Sequence, residues 1–213
     1  MNLKIKWIGS TSFLIKNSMG KKILLDPIQL YSYIGISNLN PDIITFSHNH
    51  SNDFMEKFIK NKCIIINSCN SFSNNFINLK GFKTFKDNFN GFKRGENLIY
   101  LFNIDGFKIC HLGLLGHKLD DHLLNKLSNL DFLFIPIGGH FCLDGANAAK
   151  LALDLKPKYI IPMCFKNSSE HFYLDGPKTF LSSIKNVLYY NSNTVYSDNL
   201  SFKDKCSVIL LSS

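Results

Sequence analysis

Apolar and polar positions alternate over short runs in the first part of the chain: Lys4 to Ile8, Ser12 to Lys16, Lys22 to Leu25, Asp42 to Ser47 and Cys63 to Asn67. Turn formers such as Asn17, Gly20 and Pro41 separate them. A period of two places alternate side chains on opposite faces, so each run is predicted as a strand. A second set spans Leu79 to Phe85, Asn97 to Ile104 and Phe107 to Leu112, with Asp105-Gly106 between two apolar runs predicting a tight hairpin. Asp131 to Pro136, Tyr159 to Met163 and Cys206 to Leu211 complete the predicted strands.

Helical spacing is clearest from Asp144 to Leu155, where Ala148, Ala149, Leu151, Ala152 and Leu155 form one stripe and Asp144 is placed to cap the start. Lys118 to Leu127 and Pro177 to Ile184 are two further helix candidates, the latter opening on proline. Strands in meander come first and helix–strand alternation follows, the order that two packed sheets with outer helices require. No repeat of 20 to 50 residues and no break in composition divides the chain, so residues 1–213 are expected to form one domain.

Composition narrows the class. With 45% hydrophobic and 19% charged residues the chain suits a packed globule and argues against long disorder. The net charge of +8 would suit an anionic partner if it were concentrated, but the lysines are spread along the chain with no run of five or six. A solvated basic surface is the plainer account, and nucleic acid is not expected as a partner. The start, MNLKIKWIG, reads as a strand and not as a leader, and no apolar run approaches the roughly 18 residues that span a bilayer, so no membrane association is expected. Six cysteines without a CxxC pair read as reduced core thiols in a cytoplasmic protein, although an even number would also permit disulfides.

The stretch Thr45 to Asp53, TFSHNHSND, carries the chemistry. An apolar strand runs straight into His48-x-His50, and two imidazoles so spaced can converge on one ion from a loop. The plainer alternative is a pair of polar loop histidines.

Several separated segments together resemble the metallo-β-lactamase superfamily, particularly the small metal-dependent hydrolases of the ascorbate-6-phosphate-lactonase-like group. The segments are KIKWIGSTSFLI, ILLDP, PDIITFSHNH, FKRGENLIY, FKICHLGLLGH, DFLFIPIGG and LKPKYIIPM, and they cover nearly the whole chain in order. The resemblance implies a four-layer αββα sandwich of the α/β class. It also implies seven strand-end ligands around two ions, with a bridging hydroxide that attacks an ester, lactone, amide or phosphodiester.

Carried over position by position, that ligand set is largely substituted. The His-x-His-x-Asp-His motif falls on His48, His50, Asn52 and Asp53, keeping the first two ligands. The next family histidine falls on Lys86, ahead of Asp87; the bridging aspartate falls on Leu114; the closing histidine falls on Cys164. A histidine often found after the Trp-x-Gly strand corresponds to Ser10. An ammonium and an alkyl group cannot replace donors to a cation, so the two-ion centre is not expected. One zinc or other divalent ion on His48 and His50, with Asp53 or Cys164, is the alternative to no cofactor at all.

Each remaining candidate has two readings. Asp26 with Pro27 matches a family pair near the site, or simply ends a strand. His111 and His117 read as structural or as supports behind the ligands. His140, after Gly138-Gly139, lies where a pocket loop would run, or satisfies a carbonyl. Cys164 is a nucleophile beside a histidine, or an inert buried thiol.

The expected function is therefore a non-catalytic protein of this fold, with a small-molecule or protein partner. The alternative is an active hydrolase with one altered metal site.

Overall fold

The computed structural model describes residues 2–27, 39–48, 63–167, 173–202 and 206–212. Two sheets face each other. The first has the order β13-β1-β2-β3-β4-β5 and the second the order β12-β14-β11-β10-β9-β8-β7-β6. The strands of the first sheet are β1 (Lys4–Gly9), β2 (Ser12–Lys16), β3 (Lys22–Leu25), β4 (Ile43–Thr45), β5 (Ile64–Ile66) and β13 (Thr194–Tyr196). The second holds β6 (Ser71–Ser73), β7 (Asn78–Phe85), β8 (Glu96–Ile104), β9 (Phe107–His111), β10 (Phe132–Pro136), β11 (Tyr159–Met163), β12 (Asn186–Tyr190) and β14 (Ser207–Leu211).

The alternation read from the sequence becomes burial. In β1, Ile5 and Trp7 face the inter-sheet core while Lys4 and Lys6 are partly exposed. Strands β10 and β11 are buried at every position, as parallel strands covered on both faces must be. Asp105 and Gly106 both take positive φ, 50° and 78°, which is the hairpin turn their sequence predicts. Phe13 and Phe134 meet across the sheets with ring centroids 4.5 Å apart, and the Tyr100 hydroxyl of β8 donates to the Phe46 and Ile66 carbonyls at 3.0 and 3.2 Å.

The described helices are α1 (Asp121–Lys126), α2 (Gly145–Leu155) and α3 (Lys178–Leu181). In α2 the Asp144 side chain accepts from the Asn147 N–H, and Ala148, Ala149, Leu151, Ala152 and Leu155 form the buried stripe, which lies against β10. Helix α1 is shorter than its pattern predicted, because Asp120 caps it and takes the Leu123 N–H. Pro177 stands before α3, which covers only half of its predicted span.

The α/β two-sheet architecture is the expected one, though the outer helix layer of the first sheet has no counterpart among the described residues. That face nevertheless buries Leu24, Ile44 and Phe46. Strands β6, β12 and β13 were not anticipated; all three are outermost strands of their sheets, with little apolar alternation to announce them. No helix among the described residues is long and apolar enough to cross a membrane.

Candidate functional site

Parallel strands β3, β4, β9, β10 and β11 all end at the same edge of the sandwich, and the chain beyond each end supplies the candidate site. Beyond β3 lies Asp26, buried and at φ 42°. Beyond β4 lie Ser47 and His48. Asp26 accepts the Ser47 N–H at 2.6 Å and also the Ser47 hydroxyl. The same hydroxyl oxygen is 2.9 Å from His48 Nδ1. A hydroxyl that donates to the carboxylate can only accept from the imidazole, so Nδ1 carries a proton, and in the neutral ring Nε2 carries the lone pair. The relay Asp26–Ser47–His48 thus orients one of the two predicted imidazoles. Nothing in the sequence singles out Ser47 for this part.

His50, Asn52 and Asp53 lie outside the described residues. Of the remaining predicted site residues, Leu114 and Cys164 come together: both belong to an apolar cluster with Cys142 and Leu174, against which Phe141 packs. Cys164 is fully buried at φ 51°, and its N–H donates to the Ser10 carbonyl at 3.2 Å, which also receives Trp7 Nε1 at 3.0 Å. His140 is exposed, with φ 58°, beside this cluster in the chain but not within it. Lys86 ends β7. Burial pushes its ammonium below the usual lysine range, and the charge of Asp87 opposes the shift.

Both supporting histidines are spent on backbone. His111 is fully buried; its Nε2 donates to the Thr11 carbonyl at 2.9 Å and its Nδ1 accepts the Gly113 N–H at 3.2 Å. Burial lowers its pKa, against the pull of Asp26 and the Thr11 carbonyl. His117 donates from Nδ1 to the Lys118 carbonyl at 2.8 Å and accepts the Phe85 N–H at Nε2. Neither ring keeps a lone pair for an ion.

Asn97, at the start of β8, is a residue the sequence reading missed. Fully buried, it donates to Thr84 Oγ1 and the Leu112 carbonyl, both at 2.9 Å, and accepts the Leu114 N–H at 2.8 Å. It fixes the turn that presents Leu114. Gly113 in that turn has φ 59°, and a Cβ there would lie 2.4 Å from Asn97 Oδ1 and 2.6 Å from Ser47 Oγ. A cleft of about 230 Å³ opens beside these residues, lined by His48, Ser68, Cys69, Lys83, Glu96 and Asn97 among others. A second cleft, of about 290 Å³, lies between α1 and α2, away from His48.

Among the described residues no three His, Cys, Asp or Glu side chains converge as a metal site. Leu114 and Cys164 offer an ion hydrocarbon and one buried thiol, so the two-ion arrangement does not fit this part of the edge.

Comparison with known proteins gives one answer. The model of the β-lactamase superfamily domain matches residues 4–164. A UPF0173 metal-dependent hydrolase of Methanosarcina mazei is 27% identical over 196 residues, covering 76% of this chain and 83% of the relative. One from Thermoplasma acidophilum is 28% identical over 189 residues, with the same coverage of 76% and 83%. Among solved structures, a Thermotoga maritima protein described as a Zn-dependent hydrolase of the metallo-β-lactamase superfamily superposes with a TM-score of 0.75 at 25% identity, covering 98% of both chains. The metallo hydrolase Igni18 of Ignicoccus hospitalis shares the fold, with a TM-score of 0.57 at 16% identity over 78% of this chain and 84% of its own. With strand order, strand-end site and family model in agreement, the chain belongs to the β-lactamase superfamily, among relatives that are metal-dependent hydrolases.

Proposed function

We propose that this chain is a non-catalytic member of its hydrolase family, a binding, partner or regulatory protein of the cytoplasm that no longer builds the two-ion centre. One observation carries the reading: Leu114 and Cys164, which the sequence resemblance aligns with two of the family's ligand positions, pack with Cys142 and Leu174 in one apolar cluster. Hydrocarbon occupies the space a shared carboxylate would need, and filling the space keeps the fold packed without an ion. Protein purified without chelator should contain far less than one zinc or manganese per chain by elemental analysis. Two equivalents of either metal would sink the proposal.

A second reading has its own support. The Asp26–Ser47–His48 relay leaves His48 Nε2 as the lone-pair nitrogen, the state a metal ligand needs. His48 and His50, with Asp53 or Cys164, would hold one divalent ion, which would supply a polarised water for hydrolysis. On this reading metal-stimulated turnover of a generic ester or phosphodiester disappears in His48→Ala. An unchanged rate in that variant removes it.

A further inference from the structure

We propose that the loop joining β7 to β8 is a docking arm for single-stranded nucleic acid; its stems at Lys83 and Glu96 line the His48 cleft, and its own Asn88 lines the cleft between α1 and α2. Its tip carries Phe92, 90% exposed, and Phe89, 51% exposed. Such rings are expected to fold back onto the surface unless the backbone holds them out. Here it does. The buried Asp87 carboxylate accepts four backbone N–H groups of the loop, from Phe89 and Gly91 on one oxygen and from Lys93 and Arg94 on the other. Asn90, Gly91 and Gly95 take positive φ, and a Cβ on Gly91 would lie 2.8 Å from the Phe85 ring.

Charge gathers on the same loop. Lys93 sits 3.8 Å over the Phe89 ring, Arg94 follows it, and half-buried Lys86 stands at the base. None of the three has a carboxylate within ion-pair distance among the described residues. The loop's one acid, Asp87, is turned inward and consumed by the amides. Lys83 and Glu96, on the two stems, pair with each other and line the His48 cleft. Lys93 and Arg94 are neighbours in the sequence, and the turn adds Lys86 from seven positions earlier.

The chemistry selects the partner. A base stacks on one open ring face, worth about 1–3 kcal/mol, and Phe92 offers one while the neighbouring cations meet phosphate. A bilayer needs more apolar surface than this, since even a full myristoyl chain binds only marginally. Phe89 is already covered by Lys93, which leaves one bare ring. The proposal holds whether or not an ion sits at His48.

The test is fluorescence anisotropy with a short labelled oligo(dT) across a salt series. Binding should weaken linearly in log salt, with a slope of about −0.7 per phosphate neutralised. Phe92→Ala should weaken it about tenfold, with the thermal melt unchanged because the ring touches little. The double variant Lys93→Ala/Arg94→Ala should flatten the salt slope by about 1.4, two phosphates' worth. Lys4→Ala/Lys16→Ala removes equal charge from the far end of the sandwich and should leave the slope as it was. If the two double variants act alike, net charge alone drives binding and the proposal fails. It fails too if oligo(dT) does not bind, or if only phosphatidylserine vesicles bind through Phe92.

Discussion

His111 shows how one side chain can be read two ways until its partners are known. The sequence leaves His111 as either a structural residue or a support behind a ligand; here both ring nitrogens serve the backbone. Its folded pKa lies below the unfolded value of about 6.5. Below that pH the unfolded chain binds the extra proton first, so this residue's contribution to stability is complete above about 6.5 and declines as pH falls toward the folded pKa. Urea titrations of the parent between pH 7.5 and 5 should show that decline. His111→Gln should lower stability by about 1–3 kcal/mol at neutral pH, from the orphaned Thr11 and Gly113 groups, and flatten the pH dependence. An equally steep pH profile in the variant would place the sensitivity elsewhere.

Leu114 makes the complementary point. Introducing a carboxylate by Leu114→Asp would bury a polar group against Cys142, Cys164 and Leu174. The expected loss is about 2–3 kcal/mol, which calorimetry would read as a fall in Tm of roughly 5–10 °C. A variant as stable as the parent would mean that the cluster has room for water or an ion.

At the scale of elements, the β7–β8 connection is organised by one carboxylate. Desolvation alone would raise the Asp87 pKa, but four backbone N–H donors hold it below the usual carboxylate range. The stability it confers is therefore present above its unfolded pKa of about 3.8 and is lost as pH falls through the lower folded value. Asp87→Ala should leave the sheets folded while amide exchange at Phe89, Gly91, Lys93 and Arg94 accelerates together. Exchange rates unchanged at these four amides would show that the glycines and Asn90 alone hold the loop.

At the scale of the molecule, the two sheets are joined by a packed core and by a few buried polar links, of which Tyr100 is the clearest. Burial raises its phenol pKa, and its hydroxyl proton is shared between carbonyls at the ends of β4 and β5. Tyr100→Phe keeps the ring and removes the link, so the cost should be about 1 kcal/mol. That corresponds to a Tm lower by roughly 2–4 °C in a thermal scan, and a neutral substitution would show that packing alone sets the sheet spacing.

The sequence by itself determined the strands that carry alternation or unbroken apolar runs, the Asp105-Gly106 turn, the α2 stripe with its Asp144 cap, and the resemblance that named the fold. These are local signals, written in neighbours a few positions apart. It also put forward, through the family resemblance, His48 as a candidate site residue and Leu114 and Cys164 as candidate substitutions at ligand positions. Only the tertiary structure decided that Leu114 and Cys164 share one apolar cluster, that Ser47 couples Asp26 to His48, and that Asn97 fixes the 112–114 turn. It alone showed that Phe89 and Phe92 are exposed beside Lys93 and Arg94, with Lys93 over the Phe89 ring. The reason is range: spacing along the chain fixes which face a side chain takes, whereas a site joins residues from five strand ends, and their meeting depends on how the sheets pack.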